Sequence, residues 1–183
     1  MDRGWWKMEN KEPSFFTWVA IHVENIIMTK LVPKENPGVV FKWLFKVPIL
    51  FYKAGLPLFG DFILLLTTTG RKSRKPRHTP LEYHLEEGSG YCVITAGWGG
   101  KTDWAKNIIA YPHVHAQAGQ RHFNARAEAL TNDEVTAWLA HVVEVNPASL
   151  KIWSRWAGEE LDGSLESMRK AAKYFPSFRL IPE

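Results

Sequence analysis

At 183 residues the chain is long enough for one well-buried domain with a terminal extension, and ten Phe, nine Trp and five Tyr exclude global disorder. The single cysteine, Cys92, excludes an internal disulfide and a thiolate zinc cage. No apolar run approaches the ~18 residues of a membrane-spanning helix, the densest being 62–66. The net charge of +4 matters less than its placement, because Arg71, Lys72, Arg74, Lys75 and Arg77 crowd into seven positions. Like charges at that density repel unless an anion lies among them.

The chain divides near residue 60 into an aromatic helical arm (1–60) and a β-rich domain (61–183). In the arm, Ser14 follows Pro13 as a cap, and Phe15, Phe16, Val19, Val23, Ile26 and Ile27 recur near helical spacing. Residues 39–54 form a second helical segment that Pro48 kinks or interrupts. From Asp61 the period changes. Residues 62–69 are an apolar then threonine run, a strand buried on both faces. A basic turn, 70–77, leads into a strand over 78–85. Residues 86–90 are a hairpin turn with Glu86 and Glu87 in solvent, and 91–96 form the next strand. Residues 97–100 are a loop. Thr102 or Asp103 caps a short helix that runs through Tyr111 and stops before Pro112.

Residues 113–118 alternate with Val114, Ala116 and Ala118 on one face, and Phe123, Ala125, Ala127 and Ala129 alternate after the Gly119-Gln120 turn. Thr131 with Glu134 is a capping box for a helix over 133–145. Asn146-Pro147 breaks it, helix continues to about Tyr174, and 178–181 read as a last strand. Four or five antiparallel strands with one inserted helix favour an α+β small barrel or strongly curled sheet flanked by helices.

Two turns carry chemistry. In Thr67-Thr68-Thr69-Gly70-Arg71-Lys72-Ser73 a strand ends and glycine, Arg, Lys and Ser follow at once, a donor set suited to phosphate or carboxylate oxygens. The spacing is neither that of a Walker loop nor Gly-x-Gly-x-x-Gly. In Ala96-Gly97-Trp98-Gly99-Gly100-Lys101 the glycines permit close approach of a flat ring or a phosphate. Trp104 and Asn107, three apart, share a helix face. If both turns follow neighbouring strands, they meet at one barrel end and hold two ends of one anionic, ring-bearing ligand.

The segments 65–73, Pro76-Arg77, Pro80-Leu81, Gly99-Gly100, Trp104, Asn107 and Ala110-Tyr111-Pro112 resemble the deazaflavin-dependent nitroreductase family over about residues 62–129. That resemblance implies a split β-barrel oxidoreductase of the FMN-binding split-barrel type, using the reduced 8-hydroxy-5-deazaflavin coenzyme F-420, with FMN as the alternative cofactor. The coenzyme carries a phosphodiester and a glutamate tail. The resemblance implies that Arg71, Lys72, Ser73 and Arg77 hold the tail and phosphate, and that Pro80 and Leu81 pack beside the ring. It further implies that Ala96, Gly97, Trp98, Gly99, Gly100 and Lys101 sit against phosphate or ring edge, with Trp104 and Asn107 lining the pocket. It assigns no catalytic side chain, since the hydride chemistry is the coenzyme's. Many relatives have Ser-Lys where Gly97-Trp98 stands, and those active on nitro compounds carry C-terminal tyrosines for which only Trp153, Trp156 and Tyr174 are available here.

The expected acceptor is a quinone, a nitro compound or another conjugated molecule. The competing reading is a non-catalytic split barrel holding a deazaflavin, a flavin or a fatty acid. The basic, aromatic arm with Trp5, Trp6, Trp18, Trp43 and Phe45 suits packing on the barrel, a second copy of the chain, or a membrane surface. Nucleic acid is not expected, because Trp98 alone offers a stacking ring near the basic turn. The absence of a signal pattern in residues 1–10 points to the cytoplasm, with the inner membrane face as a peripheral site. No metal is expected: His113, His115 and His122 share a strand face without an acidic or thiolate partner, and Cys92 reads as buried and inert.

Overall fold

The computed structural model describes residues 47–56, 63–86 and 88–183. The helix expected after Ser14 and the aromatic arm up to residue 46 lie outside the described residues. The first element is helix α1, Val47–Lys53. Pro48 is the second residue of this helix, and the remainder of the helical segment expected over 39–54 that precedes it lies outside the described residues.

Among the described residues seven strands form one antiparallel sheet: β1 Ile63–Thr69, β2 Pro76–Glu82, β3 His84–Leu85, β4 Cys92–Thr95, β5 His113–Ala118, β6 Arg121–Ala129 and β7 Ser177–Pro182. Their order is β2-β1-β5-β6-β7-β4-β3. The expected strand over 78–85 is in fact two. β2 pairs with β1 at one edge, and β3 pairs with β4 at the other. Glu82 and His84 are two residues apart, within ~7 Å along the chain, yet a flat sheet would hold their strands six spacings, or ~29 Å, apart. The sheet therefore curls until its edges meet, and the turn at Tyr83 closes an open barrel. This is the α+β curled architecture expected from the strand pattern.

The barrel interior holds Leu64 and Leu66 from β1, Ile94 from β4, Val114 and Ala116 from β5, Ala125 and Ala127 from β6, and Phe178 and Leu180 from β7. The alanines leave room at the tight centre of the curl. Ala129, which alternates in register with Ala125 and Ala127, is nevertheless exposed at the strand end. Helix α2, Asp103–Ala110, plugs the interior with Trp104, Ala105 and Ile108.

A second core lies on the other side of β4. Val93 points away from the barrel and clusters with Trp138 and Leu139 of helix α3 (Asn132–Val145), Trp153 of α4 (Ser149–Ala157), Met168 of α5 (Leu165–Ala171) and Phe175 just before β7. The capping box is in place at the start of α3: the Glu134 N–H donates to Thr131 Oγ1 at 3.3 Å and the Thr131 N–H donates to Glu134 Oε2 at 2.8 Å.

One expectation reverses here. Glu86 is not solvated. It is 4% exposed, and Arg179 Nε of β7 donates to both its carboxylate oxygens at 2.9 Å. Arg179 also donates to Glu134 at 3.1 Å and sits 3.6 Å from Glu128. A buried carboxylate persists only when paired, and the hairpin turn places this one over the strand that supplies its cation.

Candidate functional site

The basic turn is closed by its own backbone. The Gly70 N–H donates to the Lys75 carbonyl at 2.9 Å, and the Arg74 N–H donates to the Gly70 carbonyl at 2.7 Å. Arg74 takes a positive φ of 59° and stacks its guanidinium 4.4 Å over the Tyr111 ring, so it is parked on protein.

Asn107 of α2 fastens the turn to the barrel. Its Oδ1 accepts from the Arg71 backbone N–H at 3.1 Å and from Arg71 Nη1 at 3.3 Å. Its Nδ2 donates to the buried Thr68 hydroxyl at 3.2 Å. Arg71 also reaches Asp103, with Nη2 2.9 Å from the carboxylate and Nη1 3.4 Å from the carbonyl. The guanidinium is thus shared between an amide and an acid of one helix face, positions 103 and 107 being one turn apart.

Between this turn, β2, α2 and α1 lies a cavity of about 900 Å³, a size that holds cofactors. Arg71, Lys72, Ser73, Arg77, Trp104 and Asn107 line it, as do Asp103, His78, Thr79, Ile49 and Leu50. Arg77 Nη2 donates to Ser73 Oγ at 3.3 Å. Among the described residues neither Lys72 nor Arg77 has a carboxylate partner, and both line the cavity. Ile49 and Leu50 add apolar surface to the lining. The expectation thus brought six of its residues together and missed Asp103, read only as a helix cap, and the α1 pair. The spacing of Asp103 and Asn107 was the available signal for the former.

The other half of the expected cradle is elsewhere. Pro80, Leu81, Ala96, Gly97, Trp98, Gly99, Gly100 and Lys101 do not line this cavity. Leu81 packs against the barrel core. The Ala96 N–H donates to the Pro176 carbonyl at 2.8 Å. Trp98, Gly99 and Gly100 form a tight turn with φ of 51°, 62° and 70°. The Trp98 ring stacks on Trp156 with centroids 4.9 Å apart. A Cβ on Gly97 would stand 2.9 Å from the Trp156 ring, and one on Gly100 2.8 Å from Pro176. β1 and β4 are not neighbours, although both run the same way and end at the same rim of the sheet. The glycines at this rim make room for C-terminal side chains.

His78 shares a hydrogen bond with Thr67 Oγ1 at 2.9 Å. His113 bonds Glu183, and His115 bonds Asn124 at 3.0 Å. Burial pushes the Cys92 thiol up to about 11, against a smaller downward pull from Arg121, so it stays a protonated core residue at neutral pH.

Residues 52–158 match the model of the F420H(2)-dependent quinone reductase family. The F420H(2)-dependent quinone reductase of Mycobacterium tuberculosis strain H37Rv is 33% identical over 89 residues, which cover 47% of this chain and 59% of that protein. The protein of the same description from strain CDC 1551 matches to the same extent. The aligned stretch thus spans somewhat over half the length of these relatives. A solved F420-H2 dependent reductase superposes with a TM-score of 0.46 at 29% identity, covering 64% of this chain and 92% of that one. The family match runs over more than half of the chain and takes in the basic turn, β2 and α2, three of the four elements that build the cavity, but not Ile49 and Leu50 of α1. The chain belongs to the F420H(2)-dependent quinone reductase family.

Proposed function

We propose that this chain is an oxidoreductase that binds reduced coenzyme F-420 in the cavity beside the basic turn and reduces a quinone. The observation that carries the reading is the cavity's mixed lining. Lys72 and Arg77 present positive charge and Ser73 a hydroxyl, and Ile49, Leu50 and Trp104 supply apolar surface to the same cavity. A molecule with an acidic tail and a flat ring fits such a donor set. Bound there, the deazaflavin supplies the hydride. The protein's part is to hold the tail through Lys72 and Arg77, to keep the turn in place through Asn107, and to exclude water with Trp104 and the α1 side chains. The family's description favours a quinone over a nitro compound as acceptor. No helix among the described residues is long and apolar enough to cross a membrane.

Fluorescence titration with F-420 and with FMN tests the cofactor. Lys72→Ala/Arg77→Ala should weaken F-420 binding by about 2–3 kcal/mol, roughly 30- to 150-fold, since hydrogen bonds to charged groups contribute ~1.5–3 kcal/mol each and these are partly exposed. Equal affinity in the double variant removes the cradle. Stopped-flow oxidation of reduced F-420 by menaquinone analogues and nitroaromatics tests the reaction. No oxidation above background with any acceptor leaves a cofactor binder without activity.

A further inference from the structure

The cavity contains an anion of its own. Asp103 stands at the first position of α2 and lines the cavity with its side chain 83% exposed, its Oδ1 2.9 Å from Arg71 Nη2. Three further bonds hold Arg71 without that carboxylate. Its backbone N–H and Nη1 both donate to Asn107 Oδ1, and Nη1 also reaches the Asp103 main-chain carbonyl. Asn107 is itself fixed to Thr68. The Asp103 side chain is therefore not required to orient the turn. Its effect is electrostatic, placing a negative charge on Arg71 in a cavity that Lys72 and Arg77 also line.

We propose that Asp103 is a specificity-determining residue that competes with the ligand for Arg71. This rests on the cavity being an anion site. A ligand acid that takes Arg71 must displace the carboxylate, exchanging one exposed ion pair for another with little net gain. An anion gains only by engaging Lys72 and Arg77 as well. The arrangement therefore discriminates by reach: a ligand acid that extends to Arg71 meets a competing carboxylate, and one held by Lys72 and Arg77 alone does not. It also releases the ligand more readily, because Asp103 is at hand to recapture Arg71.

The test is a fluorescence titration of wild type, Asp103→Asn, Asp103→Glu and Lys72→Ala/Arg77→Ala. The probes are F-420 and the deazaflavin riboside, which lacks phosphate and glutamate tail. Inorganic pyrophosphate is titrated by calorimetry to read anion exchange without a ring. Asp103→Asn should bind F-420 and pyrophosphate about three- to tenfold more tightly, the size of one exposed charge–charge interaction. Riboside affinity should stay unchanged, and the gain should shrink as salt is raised. Asp103→Glu, which keeps the charge, should bind like wild type. Unchanged or weaker F-420 and pyrophosphate binding by Asp103→Asn overturns the proposal and makes Asp103 a positioning residue. If the Lys72/Arg77 double variant binds both probes as wild type does, the anion site itself falls, and this inference with it. Tighter pyrophosphate binding by Asp103→Asn in a protein that ignores F-420 keeps the competitor and removes the coenzyme.

Discussion

The basic turn after β1 and the glycine-rich turn after β4 look alike in sequence and differ in what surrounds them. Each follows a strand, each contains glycine and cations, and both end at the same rim of the sheet. The first keeps Lys72 and Arg77 exposed to a cavity. The second is pressed under Trp156 and Pro176, with three consecutive residues at positive φ. Glycine lets a backbone come close to something, and composition does not say whether that something is a ligand or another part of the same protein. The C-terminal helices decide it here, because α4 delivers Trp156 onto Gly97 and the approach to β7 delivers Pro176 onto Gly100.

Substituting the glycines is the strongest way to break this contrast. Ala at position 100 adds a Cβ against the Pro176 ring at a φ of 70°, so overpacking and left-handed strain act together. Gly100→Ala should cost about 2–3 kcal/mol of stability, read as a lowered denaturant midpoint. Gly97→Ala, at an ordinary φ but against Trp156, should cost about 1–2 kcal/mol. Lys72→Ala/Arg77→Ala should leave stability within about 0.5 kcal/mol, as exposed substitutions do. The contrast fails if Gly100→Ala folds as stably as wild type and loses F-420 binding, since the loop would then serve the ligand.

Asn107 offers a smaller and more telling perturbation, because it joins the basic turn to the buried Thr68 hydroxyl. Asn107→Ala leaves the Arg71 N–H and the Thr68 hydroxyl, 1% exposed, without their partner on α2. The expected loss is about 1–2 kcal/mol of stability, accompanied by weaker F-420 binding as the turn loses its anchor. Stability and affinity should thus fall together here, whereas the double cation variant moves affinity alone. A stability loss with unaltered affinity would show that the turn's own hydrogen bonds, Gly70 to Lys75 and Arg74 to Gly70, suffice to shape it.

The local devices were readable from the residues. The Thr131–Glu134 box, the alternation through 113–118, the small residues of β6 and the buried run of β1 each follow from periodicity or capping within a few positions. Long-range facts were not. Nothing within 78–85 shows that the strand changes partners at Tyr83, because that follows from closing the sheet. Glu86 and Glu87 read as one polar turn, yet Arg179, distant in sequence, draws Glu86 inside. Sequence offers Thr102 or Asp103 as a cap, yet Thr102 is the N-cap residue, no side chain caps the helix, and Asp103 at the first helical position pairs with Arg71 across the chain. In the site, the residues brought together were those carried by one turn and one helix face, and those that scattered depended on where the C-terminal helices dock.

The segment that pins the glycine-rich turn has an acid-sensitive support, which separates the two regions in a last, milder way. Pro176 precedes β7, the Leu130 N–H donates to the Ser177 carbonyl at 2.9 Å, and Arg179 of β7 is held in part by Glu134. Burial raises the Glu134 pKa, but the Thr131 N–H and hydroxyl together with Arg179 outweigh it and hold the carboxyl below its ordinary 4.5. A folded-state value below the unfolded one means a contribution fully present above about pH 4.5 and lost as pH falls through the lower folded value. Glu134→Gln should therefore be less stable than wild type by about 1 kcal/mol at pH 7, the size of a capping interaction, and the two should converge on acidification. Denaturant unfolding at pH 7 and at pH 3 measures both points. Lys72→Ala/Arg77→Ala should keep a constant offset from wild type across the same range, as neither side chain has a carboxylate partner among the described residues. A Glu134→Gln protein as stable as wild type at pH 7 would mean that Glu86 and Glu128 hold Arg179 unaided, and that the support under the glycine-rich turn does not depend on the cap of α3.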